Sequence, residues 1–483
     1  MTFLGVDCGT SALKAVLVDE NERVLASATR AYAPDRPQPL WSEQNPQVWR
    51  EAMFAALASL RAEAPQAWGG VRALGFSGQM HGLVALGSDD RPLRPAILHN
   101  DARAHAEAAE LHARFGELER VVGVKAMAGF PAAKMLWLRR REPQVHARIA
   151  KILAPKDWLR LALTGEIATD MSDAAGSWQL DEKARAWSAP ALEASATLPA
   201  QAPRLLEGSA PAGRLRGEVA QALGLPRETV VAAGGGDAAV GAIGLGAVQA
   251  DDAFISLGTA CQWILAADSY EAAPEKLVHS FAHALPGRWY RMAAMLNGAG
   301  TLAFAGRLLG ADVAALEAEA AAGYRGPGGL TFLPYLSGER TPHDDPHARG
   351  VAFGLTEATS RADFARAVME GVAFTLAEAR ECLGAPARVG LIGGGAKSLL
   401  WTRMIASAAD VEVTRYRGGE TGPAFGAARL ARLAATGEAP EALCRPPPTL
   451  DVTAPEPALR DAFAARRLRF QALYRALKPE FSA

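Results

Sequence analysis

The sequence predicts an α/β protein made of two halves built on one plan, each with a sheet flanked by helices. Three observations carry that expectation. The chain opens on an apolar strand, a tight turn and a second apolar strand, and the same arrangement returns at residues 253–266. Glycine-rich turns follow buried-strand patterns in both halves, at Gly234-Gly235-Gly236-Asp237 and at Gly393-Gly394-Gly395. Between these strands lie stretches of helical periodicity, the alternation expected of layered α/β folds.

The elements follow in order. Phe3-Leu4-Gly5-Val6 is a buried strand, Cys8-Gly9-Thr10-Ser11 is turn chemistry, and Ala15-Val16-Leu17-Val18 is the returning strand. Asp19-Glu20-Asn21 starts the next turn, residues 46–63 carry a helical pattern, and residues 71–76 read as a strand. Residues 229–233 form another strand running into the triple glycine and Asp237. In the second half Ala253-Phe254-Ile255-Ser256-Leu257 is a strand, Gly258-Thr259 a turn, and residues 261–266 a strand. Asp7-x-Gly9-Thr10-Ser11 thus has a counterpart in Ser256-x-Gly258-Thr259-Ala260, and residues 231–237 have an echo in residues 391–395. These echoes place a first domain at residues 1–247, a second at 248–440 and a tail at 441–483. In the tail Pro446-Pro447-Pro448 reads as a stiff linker before a final helix packed on the second domain.

Composition excludes several classes. The 483 residues carry 51 Lys plus Arg against 52 Asp plus Glu, a net charge of -1, so no global field attracts nucleic acid or an anionic membrane. The four cysteines are widely spaced and form no C-x-x-C pair, so no zinc ribbon or disulfide framework is written here. No apolar window approaches the roughly 18 residues a membrane span needs. The opening residues show no basic and apolar leader, and the expectation is a cytoplasmic protein of a reducing compartment.

Two Gly-Thr turns, one opening each half, suggest a phosphate clamp. Glycine lets backbone N–H groups approach an anion, and the hydroxyls of Thr10, Ser11 and Thr259 add donors beside Gly258. Lys14 follows the first turn as a point charge, and Asp7 at the strand end suits Mg²⁺. Asp237 follows three glycines and precedes a small-residue helix, so it either caps that helix or accepts a proton from an attacking hydroxyl. Gly393 to Lys397 is either a tight strand-to-helix turn or a floor for a flat base. Gly78-Gln79-Met80-His81 places polar side chains at a strand end, where ligands bind in α/β sheets, although a lone histidine also serves structure. His99, Asn100, Asp101 and Arg103 form a further polar cluster in which Asp101 and Arg103 can simply pair.

Taken together, these motifs resemble the FGGY carbohydrate kinases, of the superfamily that also holds actin and the heat-shock chaperones. Within the family the resemblance is to the bacterial xylulokinase branch. It rests on residues 39–44 (PLWSEQ), 94–98 (RPAIL), 169–176 (TDMSDAAG), 279–286 and 333–343 (LPYLSGERTPH), and it spans nearly the whole chain. The resemblance implies two ribonuclease-H-like domains with mixed sheets, closing on a cleft by hinge motion. It implies ATP and Mg²⁺ as cofactors, a small sugar as partner, phosphorylation of D-xylulose at its 5-hydroxyl, and a homodimer. It assigns Asp237 as the base, Asp7 to the metal, and Met80, His81 and Asp237 to the sugar. Thr10, Ser11, Lys14, Gly258 and Thr259 fall to the phosphates, and Gly394, Gly395 and Ala396 to adenosine. Lys134-x-x-Trp137 fits the family, whereas the arginines at 139–141 that follow it find no role. Ala238 replaces the asparagine that many relatives have after the base, His99 a tryptophan, and Ala260-Cys261 a Ser-Gly pair; these bear on acceptor choice. Cys8 and Cys261 flank the two turns, so oxidation across a closed cleft is an expectation to test. The rival readings are a kinase for another ketopentose or a sugar alcohol, a nucleotide-gated binding protein, and a pentulose sensor without transfer.

Overall fold

The computed structural model describes residues 1–384, 386–417 and 422–481; the last two residues of the expected tail lie outside the described residues. The first half is built on a mixed sheet. Strand β1 (Thr2–Cys8) pairs antiparallel with β2 (Ala12–Asp19), which pairs antiparallel with β3 (Val24–Ala31). On its other side β1 runs parallel to β4 (Val71–Gly78). Beyond β4 lie β5 (Pro211–Arg214) and β6 (Val230–Ala232), in the order β5-β6-β4-β1-β2-β3, with the two-residue β7 (Gly235–Gly236) on the end of β4.

The second half repeats the plan. Strands β8 (Ala253–Leu257) and β9 (Cys261–Ala267) form the hairpin. Then β10 (Val278–Ala282) and β11 (Trp289–Met295) extend one side, while β12 (Arg388–Ile392), β13 (Glu412–Tyr416) and β14 (Thr449–Thr453) extend the other. The order is β10-β11-β9-β8-β12-β13-β14, with β12 parallel to β8 as β4 is to β1.

That topology corrects the second sequence echo. Residues 391–395 occupy the place of β4 and its following turn, because both strands run parallel to the first strand of their hairpin. The counterpart of β6 is β13, parallel to the neighbour of the hairpin in each sheet. The likeness of the two glycine runs is a likeness of tight strand-to-helix turns, not of position in the fold. The proline linker likewise leads into β14, an edge strand that the turn-rich composition concealed.

Helix α1 (Pro46–Glu63) begins where Asn45 accepts the N–H of Gln47 and buries Trp49, Met53, Leu57 and Leu60. These join a core with Leu4, Leu13, Leu74 and Phe76 of the first sheet. The second core gathers α6 (Arg361–Leu383), α7 (Leu399–Ala409) and the final helix α9 (Pro457–Phe481), whose Leu459, Phe463, Phe470 and Tyr474 are buried. Helix α8 (Gly422–Thr436) follows the second sheet in sequence, yet Ala424, Phe425, Ala428 and Ala431 pack on Phe3, Val16, Val18 and Ala73 of the first. It also crosses α5 (Asp237–Leu245), where a side chain at Gly244 would meet the Gly422 carbonyl at 2.9 Å. The halves therefore share a core as well as a cleft. No helix among the described residues is long and apolar enough to cross a membrane.

Candidate active site

The base of the cleft is formed where β1, β4 and α5 end against one another. Asp7 faces Lys14 across the β1–β2 pair and Ser77 across the β1–β4 pair. Burial pushes Asp7 up to about 6, with the Ser77 hydroxyl and Lys14 pulling the other way. Its Oδ1 is buried with no hydrogen-bond partner among the described residues.

Asp237 is the first residue of α5, with Gly236 at the capping position, and its carboxylate still satisfies a helix-start N–H, so that role and proton acceptance are compatible. Its Oδ1 accepts the N–H of Ala238 at 2.9 Å. Burial pushes Asp237 up to about 7, and the nearby Asp7 carboxylate adds to the rise. A carboxylate poised near neutrality at a cleft floor is suited to proton transfer. The backbone beneath it is held by buried ionic bonds. Lys156 Nζ, on α3 (Pro155–Thr164), lies 2.6 Å from Asp157, 2.9 Å from Asp170 and 3.2 Å from Asp173. Asp170 caps the short helix α4 (Met171–Ala175), and Ser172 Oγ accepts the N–H of Gly236 at 3.0 Å. The stretch at 169–176 thus fixes the glycine that precedes Asp237.

The first Gly-Thr turn is braced from behind. Tyr32 donates to the Gly9 carbonyl at 2.7 Å, and Gln44 Nε2 donates to the Thr10 carbonyl at 2.9 Å. Thr10 Oγ1 donates to Gln79 Oε1 at 3.2 Å, which joins this turn to the Met80–His81 turn; Ser11 is exposed. In the second turn Ala299 and Gly298 donate to the carbonyls of Gly258 and Thr259, at 2.7 and 3.0 Å, and Thr259 is exposed. Gly393, with φ of 92°, lies against this hairpin: a side chain there would meet the Leu257 carbonyl at 2.6 Å. Gly394 would meet nothing within 4 Å, and with Ala396 it lines a groove of about 600 Å³ at the ends of β12 and β13. Gly395 is buried against Leu257 and forms the turn rather than the groove surface.

His81 adopts the left-handed backbone region, with φ of 65°, and its Nδ1 lies 2.7 Å from the Gly176 carbonyl. A carbonyl only accepts, so Nδ1 carries the proton and Nε2 of the neutral ring is an acceptor. Burial holds the ring neutral, well below the usual histidine range. Met80 is buried beside Gly236 and accepts from Tyr290 at 3.7 Å. The buried Lys134, on α2 (Pro131–Arg141), donates to the carbonyls of His81 at 2.7 Å and Ile97 at 3.1 Å, pinning the turn.

Several residues escaped sequence reasoning. Phe130 lies tilted against His81, with ring centroids 4.6 Å apart, and meets His279 edge-on at 6.2 Å. His279 comes from the other half, and its alternating strand context gave only the information that no helix carries it. Asp101 and Arg103 form the buried ion pair, with Arg103 also 3.5 Å over the Trp41 ring. Arg140, at the surface, pairs with the buried Glu107 and with Glu110. Cys8 and Cys261 are both buried and in no disulfide, and burial raises both thiols, which works against reaction with oxidant.

Two family models match the chain: the N-terminal domain of the FGGY family of carbohydrate kinases over residues 2–244, and its C-terminal domain over 253–435. The chain belongs to the FGGY carbohydrate kinases. The chain is 44% identical to the xylulose kinase of Escherichia coli K12, over 99% of each chain, and 42% identical to that of Klebsiella pneumoniae, over 99% of this chain and 100% of the relative. Among solved structures, the xylulose kinase of Brucella ovis superposes with a TM-score of 0.96 at 42% identity, over 99% of this chain and 100% of that one. The ligand-bound xylulose kinase of Lactobacillus acidophilus gives 0.94 at 25%, over 100% and 99%. The expected actin-like, two-domain α/β fold is the fold of this FGGY kinase. A carbohydrate kinase takes a sugar and ATP as its substrates.

Proposed function

We propose that this FGGY kinase transfers the γ-phosphoryl group of ATP to the 5-hydroxyl of D-xylulose, in the cytoplasm, with its domain boundary at 247/248. The carrying observation is Asp237, a carboxylate raised to about 7 at the start of α5, next to the Met80–His81 turn. Full-length likeness to kinases named for xylulose supports the substrate.

Phosphoryl transfer asks little covalent chemistry of the protein; positioning and charge neutralisation carry it. Asp237 accepts the proton of the attacking hydroxyl at a carboxylate oxygen. His81 Nε2 accepts from a second sugar hydroxyl, and Met80 packs against the carbon chain. Thr10, Ser11, Lys14, Gly258 and Thr259 hold the phosphates from both halves, and the groove beside Gly394 and Ala396 takes the adenosine, with Gly395 shaping the turn beneath.

The residues fit Mg²⁺. Asp7 offers a buried oxygen without a partner among the described residues, which suits an ion bound by one or two carboxylates together with phosphates and water. When bound it neutralises charge on the transferred group. The test is ADP release from Mg-ATP with D-xylulose, D-ribulose, L-ribulose, D-fructose, xylitol and arabinitol, each alone. Stimulation by D-xylulose above all others, lost in Asp237→Asn, is expected. Preference for another acceptor overturns the substrate, and nucleotide binding without transfer overturns the activity.

A further inference from the structure

A cavity of about 620 Å³ lies between the halves, lined by His81, His99 and Phe130 of the first and by His279 and Arg340 of the second. Three of its histidines, His81, His99 and His279, are held neutral. Burial holds His99 down at about 4 and His279 at about 3, and His81 also lies well below its usual range. The cavity is also lined by charged groups, of which Asp101 pairs with Arg103 and Lys125 with Asp344, which leaves Arg340 beside Glu339.

Arg340 is held on a rigid loop. On one side Glu339 accepts from the N–H of Leu296 at 2.6 Å and of Arg340 at 2.9 Å, and from Asn297 Nδ2 at 3.0 Å. On the other side Thr341 Oγ1 donates to the Leu277 carbonyl at 2.7 Å, and the Thr341 N–H donates to Ala294 at 3.2 Å. The Arg340 guanidinium itself has neither a hydrogen bond nor an ion pair among the described residues. Its neighbouring Glu339 carboxylate is hydrogen-bonded to backbone and amide donors and acts on the guanidinium only through space. A largely buried cation without acceptors is costly, and a ligand that brings oxygen acceptors relieves that cost.

The guanidinium is a planar fork of donors that suits two acceptors side by side. A 2-ketose supplies such a pair in its carbonyl oxygen at C2 and the adjacent hydroxyl oxygen at C1. We propose that Arg340 is a specificity-determining residue whose fork reads the ketone end of the sugar while Asp237 takes the 5-hydroxyl proton; this rests on the ketopentose reading above. Holding the sugar then needs both halves. Lys125 and Asp344 pair at 2.5 Å at the rim of the same cavity, one from each half.

The experiment compares wild type with Arg340→Met and Arg340→Lys. KM and kcat are measured for D-xylulose and xylitol, and MgADP affinity by titration. Losing hydrogen bonds to a charged donor should raise the D-xylulose KM by about ten- to hundredfold in Arg340→Met. Xylitol, which lacks the ketone, should lose less, so discrimination falls; Arg340→Lys should recover part of the loss. MgADP affinity should stay within about twofold. An unchanged D-xylulose KM, an equal loss for xylitol, or a parallel loss of MgADP affinity overturns the proposal. Should Arg340→Met fail to fold, D-xylulose titration of Arg340→Lys decides by the same criterion. If wild type prefers a different acceptor, the substrate reading has failed, and the comparison is made on that acceptor to judge Arg340 by itself.

Discussion

Asp237→Asn should inactivate the enzyme and stabilise it, and the second effect depends on pH in a calculable way. The Asp237 carboxyl is raised from an ordinary 3.8 to about 7, by burial first and by Asp7 second. A group whose folded value is raised binds its proton more tightly in the native state. Its favourable contribution is complete below the unfolded value and is lost as pH rises through the folded one. The wild type should therefore lose stability between about pH 4 and pH 7, and asparagine cannot follow it. A rise of roughly three units corresponds to a ceiling of about 4 kcal/mol. The side chain is partly open to the cleft, so we expect about 1–3 kcal/mol. The assay is urea unfolding of ligand-free protein at pH 5 and pH 8. The excess stability of the variant should grow from pH 5 to pH 8, while turnover falls by about 10²–10⁴. An excess that does not grow with pH would refute the assignment of burial to Asp237, and turnover above a tenth of wild type would refute its role as base.

Three further outcomes follow from the same geometry. In kcat/KM against pH, the Asp237 carboxylate must be ionised, so the rate for the free enzyme should rise with pH through about 7; a flat profile between pH 5 and 8 contradicts this. Gly236→Ala would place a carbon 2.5 Å from Met80 Cγ, and because that side chain is flexible, sugar kcat/KM should fall at least about tenfold with a stability cost below about 1 kcal/mol by thermal melting. Gly393→Ala meets both a φ of 92° and the Leu257 carbonyl at 2.6 Å, so it should cost roughly 1–3 kcal/mol in urea unfolding and raise the KM for ATP more than that for sugar.

What the sequence disclosed was what chain neighbours decide. The β1–β2 and β8–β9 hairpins, helix α1 and the glycine turns each combine an apolar run with local turn or cap residues. Asp237 was found because three glycines and a small-residue helix surround it. Pairing across the sheet was not legible, since residues 391–395 resemble residues 231–237 in composition but match β4 in position. The cleft wall was only partly legible for the same reason. His81 stood in a motif, but Phe130, His279 and Arg340 reach it from separate segments, and nothing near any one of them in the chain marks the others. Lys156 lies beside Asp157 in an ordinary helical stretch, and its other two partners, Asp170 and Asp173, become visible only when that helix meets the 169–176 turn.

The contrast between Lys156 and Asp237 explains how the site holds its energy. Lys156 is a buried cation ringed by carboxylates, so its charge is answered within the protein and the backbone around Gly236 is fixed. Burial raises both Asp7 and Asp237, Asp7 adds to the rise of Asp237, and Asp7 keeps an oxygen without a partner among the described residues. Arg340 is the complementary case on the opposite half. A folded chain tolerates such unanswered groups only where the surrounding framework over-determines their positions. Here that framework is the Lys156 cluster under one group and the Glu339 and Thr341 anchors beside the other. Polar interactions that the protein itself leaves unmade are thus available to a ligand, and they lie on both halves, so relief is greatest for a ligand that touches both at once.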